Sequence, residues 1–123
     1  MTTDQIIERC SVGLWYLASP YSHSSKDIRR TRYRQACQAS ALIIKEGVFI
    51  IPPIVITHPL VEFGLPAMDL AFYREYERMM IRRCDGVIVL ELDGWLSSVG
   101  VGEEIAFANG IERPVVYWER EEP

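Results

Sequence analysis

The chain has 123 residues, a formal net charge of −4, 24% charged and 49% hydrophobic residues, a balance typical of one globular domain spanning 1–123. An acidic balance excludes broad binding to polymeric nucleic acid, which needs a basic face, and no apolar run reaches the roughly 18 residues of a membrane span. Cys10, Cys37 and Cys84 are scattered, with no CxxC pair and no histidine at metal-ligand spacing, so they read as reduced thiols of a cytoplasmic protein with no metal site.

Residues 3–10 predict a short helix with Thr3 as its cap. Leu14 to Ala18 follows as a first strand and runs into Ser19-Pro20-Tyr21. Ser24, with Asp27 three residues later, resembles a capping box. From there to Glu46, Tyr33, Ala36, Cys37, Ser40, Ile43 and Ile44 recur at helical spacing, and Gly47 ends the helix. Arg29, Arg30, Arg32 and Arg34 lie in its first half as a solvated or oligomer-facing cluster, from which one side chain could reach a phosphate. Val48 to Ile51 is a second strand, stopped by Pro52-Pro53.

Residues 54–66, with two further prolines, a glycine and His58, read as a long loop. His23 and His58 read as loop or wall residues rather than general bases. Pro66 opens a helix to about Cys84, with Tyr73, Met80 and Cys84 on one stripe. Glu77 falls on that stripe, and a carboxylate on an apolar face requires a partner or a wet cleft.

Val87 to Leu90 is a continuous aliphatic run, the mark of a strand covered on both faces. Ser98, Gly100 and Gly102 then form a tight loop whose N–H groups can meet an anion or a sugar hydroxyl. Glu103 and Glu104 sit in the first turn of the next helix, where the helix dipole favours an ionised carboxylate. Trp95 either stacks on a base or plugs the loop onto the domain. Pro114 to Trp118 is a fourth strand, and Glu119 to Pro123 is a charged, frayed tail.

Alternating strands and helices predict an α/β fold: a flavodoxin-like or Rossmann-like three-layer sandwich on a mainly parallel sheet of four to five strands. Ligands bind such sheets beyond the strands' carboxyl ends. There the Ser19–Tyr21 segment, the Pro52–His58 segment and the Asp93–Gly102 loop converge. Ile105 occupies the third glycine position of a dinucleotide fingerprint, which excludes NAD. The Gly-Lys-Ser/Thr of a P-loop and the Gly-x-Ser-x-Gly of a hydrolase elbow are both absent.

Three segments carry a family resemblance: Tyr16-Leu-Ala-Ser-Pro-Tyr21, Cys84-Asp-Gly-Val-Ile-Val-Leu90, and Gly94-Trp95 with Ser98-x-Gly100-x-x-x-Glu104 and Ile-Ala-x-Ala108. Residues 14 to 118 resemble the nucleoside 2-deoxyribosyltransferase superfamily, in particular its small members and the related nucleotide N-glycosidases. The resemblance implies cleavage or transfer at the N-glycosidic bond of a nucleoside or nucleoside 5′-monophosphate, without a cofactor and in a homo-oligomer, dimer or tetramer. Glu104 takes the position of the nucleophile, and Glu77, eight residues before Asp85, that of a second carboxylate for which the family commonly has Asp. By position the resemblance implies Glu104 rather than Glu103, and neighbouring helical residues point about 100° apart, so only one of the pair can face the cleft. Ser19, Tyr21, Ser98, Gly100, Gly102, Trp95 and His58 are the expected substrate-binding residues. Tyr21 stands where the nucleotide-hydrolysing branch has Arg, which turns attention to Arg29, Arg30 or Arg32 for any phosphate. The alternatives are a non-catalytic nucleotide-binding or oligomeric module, and a phosphoribohydrolase of the cytokinin-activating type, whose Pro-Gly-Gly-x-Gly-Thr signature is absent.

Overall fold

A computed structural model describes residues 1–120; residues 121–123, most of the expected charged tail, lie outside the described residues. Four strands, β1 (Leu14–Ala18), β2 (Phe49–Ile51), β3 (Gly86–Leu90) and β4 (Val115–Trp118), form one sheet in the order β2-β1-β3-β4, with every pairing parallel. Among the described residues five α-helices surround it: α1 (Thr3–Arg9), α2 (Lys26–Lys45), α3 (Pro53–Val61), α4 (Leu70–Arg83) and α5 (Val99–Gly110). The fold is a three-layer α/β sandwich.

The period-two alternation of each strand assigns its side chains to layers. Trp15 and Leu17 of β1, Ile88 and Leu90 of β3 and Val116 and Trp118 of β4 pack against Ile6 of α1 and Ala39 and Ile43 of α2. On the opposite face Tyr16, Ala18, Val87 and Val89 meet Met80 and Ile81 of α4 and Val101 and Ala108 of α5. Every residue of β3 is buried, as its unbroken apolar run predicts for a central strand.

The amino ends of β1 and β3 are locked together. Asp85 Oδ2 accepts the Leu14 N–H at 2.8 Å. Gly13 holds φ at +91°, and a Cβ there would stand 2.4 Å from the same carboxylate oxygen, so a close approach and a left-handed turn both require glycine. Asp85 therefore fixes strand register at the edge away from the ligand side.

Helix boundaries differ from the sequence expectations in instructive ways. Residues 54–66 are not a long loop: Pro53–Val61 is helical, with Pro53 in the first turn and Pro59 inside. Proline suits a first turn because it has no N–H to leave unpaired. Thr2 rather than Thr3 caps α1, and Ser25 rather than Ser24 caps α2 by accepting from Ile28 N–H. Helix α4 opens at Leu70, capped by Asp69, not at Pro66. The expected loop Ser98–Gly102 is the opening of α5: Ser98 is its cap and Gly100 and Gly102 already lie within the helix. Glu119 is not frayed, since its N–H donates to Met1 O at 2.9 Å.

Candidate functional site

Strand order changes direction between β1 and β3, because the chain leaves β1 towards β2 on one side and enters β3 on the other. At such a switch point the connections diverge and leave a crevice. A cavity of about 260 Å³ opens there, walled by the exit of β1, by α3, by the start and inner face of α4 and by the start of α5. Its size suits a small molecule.

Seven of the nine residues expected at the site line this cavity: Ser19, Tyr21, His58, Glu77, Ser98, Gly100 and Glu104. Two do not. Gly102 lies on the exposed face of α5. Trp95 sits in a 3-10 turn, packs against the buried cluster under α4 and α5, and tilts against Tyr117 with ring centroids 5.7 Å apart. It anchors its loop to the domain rather than reaching the cavity.

Helical geometry separates the paired glutamates. Glu103 turns outward and forms an ion pair with Arg74 at 3.0 Å. Glu104 turns inward and is only 7% exposed. Its Oε2 accepts a hydrogen bond from the hydroxyl of Tyr16, a fully buried side chain of β1. Tyr16 is the residue of the candidate site that sequence reasoning missed. The available signal was a phenol in the apolar run of a central strand, where a buried O–H requires a partner.

The electrostatics of Glu104 also reverse the sequence expectation. The residue is the sixth of α5, beyond the first turn to which the helix dipole is confined. Burial raises its pKa well above the usual carboxylate value, the charge of Glu77 adds to the rise, and the Tyr16 hydrogen bond opposes it. The Tyr16 hydroxyl, not the helix terminus, is what favours the ionised form. Glu77 has its pKa raised to about 7 by burial and by the charge of Glu103, with Arg74 pulling it down. Two carboxyl groups thus meet in one hollow and compete for ionisation.

Beside them stand small donors. Ser98 Oγ accepts from Val101 N–H at 3.2 Å, which leaves its own proton free to donate. The first-turn N–H groups of Val99 and Gly100 have no intrahelical partner, and both residues border the cavity. Among the described residues no lysine or arginine lines it. Arg29 instead donates to His23 O at 2.5 Å. Arg32 donates to Ser22 O at 3.0 Å and Asp93 O at 3.4 Å. Both arginines hold the Ser19–Ser25 loop, and Arg32 also ties it to the segment after β3. A Cβ on Gly94, where φ is +89°, would stand 2.4 Å from Arg32 Nη2.

A model of a domain of unknown function, DUF1937, matches residues 13–120. The chain belongs to the DUF1937 family. The match runs from the Gly13 turn to the last described residue, so the sheet, Tyr16, the cavity carboxylates and the α5 cap all fall inside the DUF1937 domain. No curated protein matches the chain. Among the described residues of this DUF1937 protein no helix is long and apolar enough to cross a membrane, and no group of His, Cys, Asp and Glu could hold a metal ion.

Proposed function

We propose that this protein cleaves or exchanges the N-glycosidic bond of a nucleoside, with Glu104 as the nucleophile and Glu77 as the acid. The observation that carries the reading is the buried Glu104: Tyr16 holds one carboxylate oxygen, and the residue borders a cavity that also contains Glu77. A stability role alone gives no reason to bury a carboxylate beside a second one.

In the proposed reaction the free oxygen of Glu104 forms a bond to C1′ as the C1′–N bond breaks. The bonding pair leaves with the base, and a proton from Glu77 neutralises it. A glycosyl ester on Glu104 remains. Water attacks C1′, gives its proton to the Glu77 carboxylate and releases free sugar; a second base at the same position gives transfer instead. Ser98, with the open N–H groups of Val99 and Gly100, suits the sugar hydroxyls. Ser19 closes the floor at the exit of β1.

The absence of lysine and arginine from the described lining, together with the carboxyl groups of Asp69, Glu77 and Glu104 inside it, favours a nucleoside over its 5′-monophosphate, whose charge the ionised carboxylates would repel. Incubation with matched nucleosides and 5′-monophosphates, followed by chromatography of free base, is expected to show release from nucleosides at least about tenfold faster, the factor corresponding to about 1.4 kcal/mol. Equal or faster release from the monophosphates would overturn the preference. Binding without release from any substrate would favour a non-catalytic nucleotide-binding module.

We also infer self-association. Phe72, Tyr76 and Met79 form a stripe on α4 that is 50%, 41% and 46% exposed, and Leu96 and Val99 nearby in the chain to Ser98 are 83% and 62% exposed. Apolar surface concentrated in this way marks an interface. Sedimentation is expected to give a dimer or tetramer, and Phe72→Lys with Met79→Lys to shift it towards monomer; a monomeric wild type would remove the inference.

A further inference from the structure

The α3 wall of the cavity offers one side-chain donor not already spent within its own helix. Pro53, Ile54 and Val61 are apolar, and the Thr57 hydroxyl donates to Pro53 O at 3.0 Å within its own helix. His58 remains. Its ring is held from two directions: Nδ1 lies 2.7 Å from the Tyr21 hydroxyl, and Tyr33 of α2 stacks on its face at 4.1 Å with planes 21° apart. No protein group among the described residues bonds Nε2. A histidine that merely filled space would not need both a stacked ring from one element and a hydrogen bond from another.

We propose that His58 is a specificity-determining residue, presenting a neutral Nε2–H donor to a hydrogen-bond acceptor on the ligand's base. The proposal rests on the glycosidase reading for where the base lies. With C1′ at Glu104 and the sugar against Ser98, the flat base is left to the apolar α3 wall. The proton position follows from the neighbours. Burial, then the charges of Arg29 and Arg30, lower the His58 pKa and keep the ring neutral. Burial raises the Tyr21 pKa, so Tyr21 stays a phenol. In the proposed tautomer the phenol O–H donates to Nδ1 across the 2.7 Å contact, and the single imidazole proton stays on Nε2. A base carrying a carbonyl oxygen or an unprotonated ring nitrogen at that edge is accepted. A base presenting only an amino group there sets a donor against the Nε2–H donor and is disfavoured.

The test compares wild type, His58→Phe, His58→Gln and Tyr21→Phe for binding by calorimetry and for base release, using the common purine and pyrimidine nucleosides as probes. Phenylalanine keeps the stacked ring without nitrogen; glutamine places an amide N–H near the Nε2 position. Expected is a loss of about tenfold or more in affinity for the preferred nucleoside in His58→Phe, with a collapse of preference among bases, partial recovery in His58→Gln and a smaller loss in Tyr21→Phe. Unchanged affinity and unchanged base preference in His58→Phe would overturn the assignment while leaving the role of Glu104 standing. Base-selective binding that depends on His58 with no base released by the wild type would leave the assignment standing and remove the glycosidase reading. No binding of any nucleoside to the wild type would remove both.

Discussion

Replacing Glu104 by Gln is expected to abolish base release, by roughly three orders of magnitude or more in kcat, while the protein still folds and still binds the nucleoside. Glutamine is the discriminating substitution because it conserves volume and can still accept the Tyr16 hydrogen bond. Alanine would open a void beside β1 and strand the phenol, costing about 1–3 kcal/mol in its own right, so its loss of activity would not separate chemistry from folding. Tyr16→Phe supplies the complementary measurement. It removes the one interaction that draws the Glu104 pKa down, so the nucleophile becomes harder to ionise and kcat should fall with little change in nucleoside affinity. Single-turnover assays with quenched samples should trap a glycosyl ester on Glu104 in the wild type and none in Glu104→Gln. Base release by Glu104→Gln at the wild-type rate would end the proposal, wherever the remaining residues lie.

The strands were legible because their signal is local. Val87 to Leu90 is a continuous aliphatic run, and a central parallel strand requires such a run. The choice of Glu104 over Glu103 came from its position in the resemblance, helical geometry allowing only one of the pair to face the cleft; the structure buries Glu104 with Val101 and Ala108 at i−3 and i+4. Glu77 was conspicuous as a carboxylate on the Tyr73–Met80 stripe. What stayed hidden depends on contacts distant in sequence or on atypical helix chemistry. Tyr16 and Glu104 are 88 residues apart, and a tyrosine in a strand satisfies β propensity without revealing its partner. Tyr21 and His58 are 37 apart. Helix α3 was masked by Pro52, Pro53 and Pro59, although Pro53 occupies the first turn, where proline does no harm. The α5 start was masked by Gly100 and Gly102, which read as loop by propensity; the Ser98 cap overrides them. The place of Glu104 as sixth residue of α5, past the first turn, is why the dipole argument failed and the burial argument replaced it.

The same buried carboxylates should make the protein more stable in mild acid than at alkaline pH. Glu77 titrates near 4.5 when unfolded and at about 7 when folded. Between those values the native state binds the extra proton, so unfolding releases it and stability declines as pH rises through the window. Above about pH 7 the penalty is complete and the curve levels. The shift corresponds to at most roughly 3 kcal/mol at pH 8, and Glu104, also raised, acts in the same direction. Urea midpoints are expected to be higher at pH 5.5 than at pH 8, and Glu77→Gln should raise the pH 8 midpoint and flatten the dependence. A midpoint that rises with pH instead would mean that both groups are well solvated and the cavity electrostatics are wrong. Activity should follow a different curve. The proposed acid, Glu77, must hold its proton, so turnover falls above about pH 7, whereas the nucleophile must have lost its proton, so turnover also falls in acid. The most stable form, with both groups protonated, is therefore inactive. In the proposed mechanism the working form carries one negative charge, on Glu104: the Tyr16 hydroxyl favours it there against the burial that raises the Glu104 pKa, and a protonated Glu77 removes the repulsion opposing that charge.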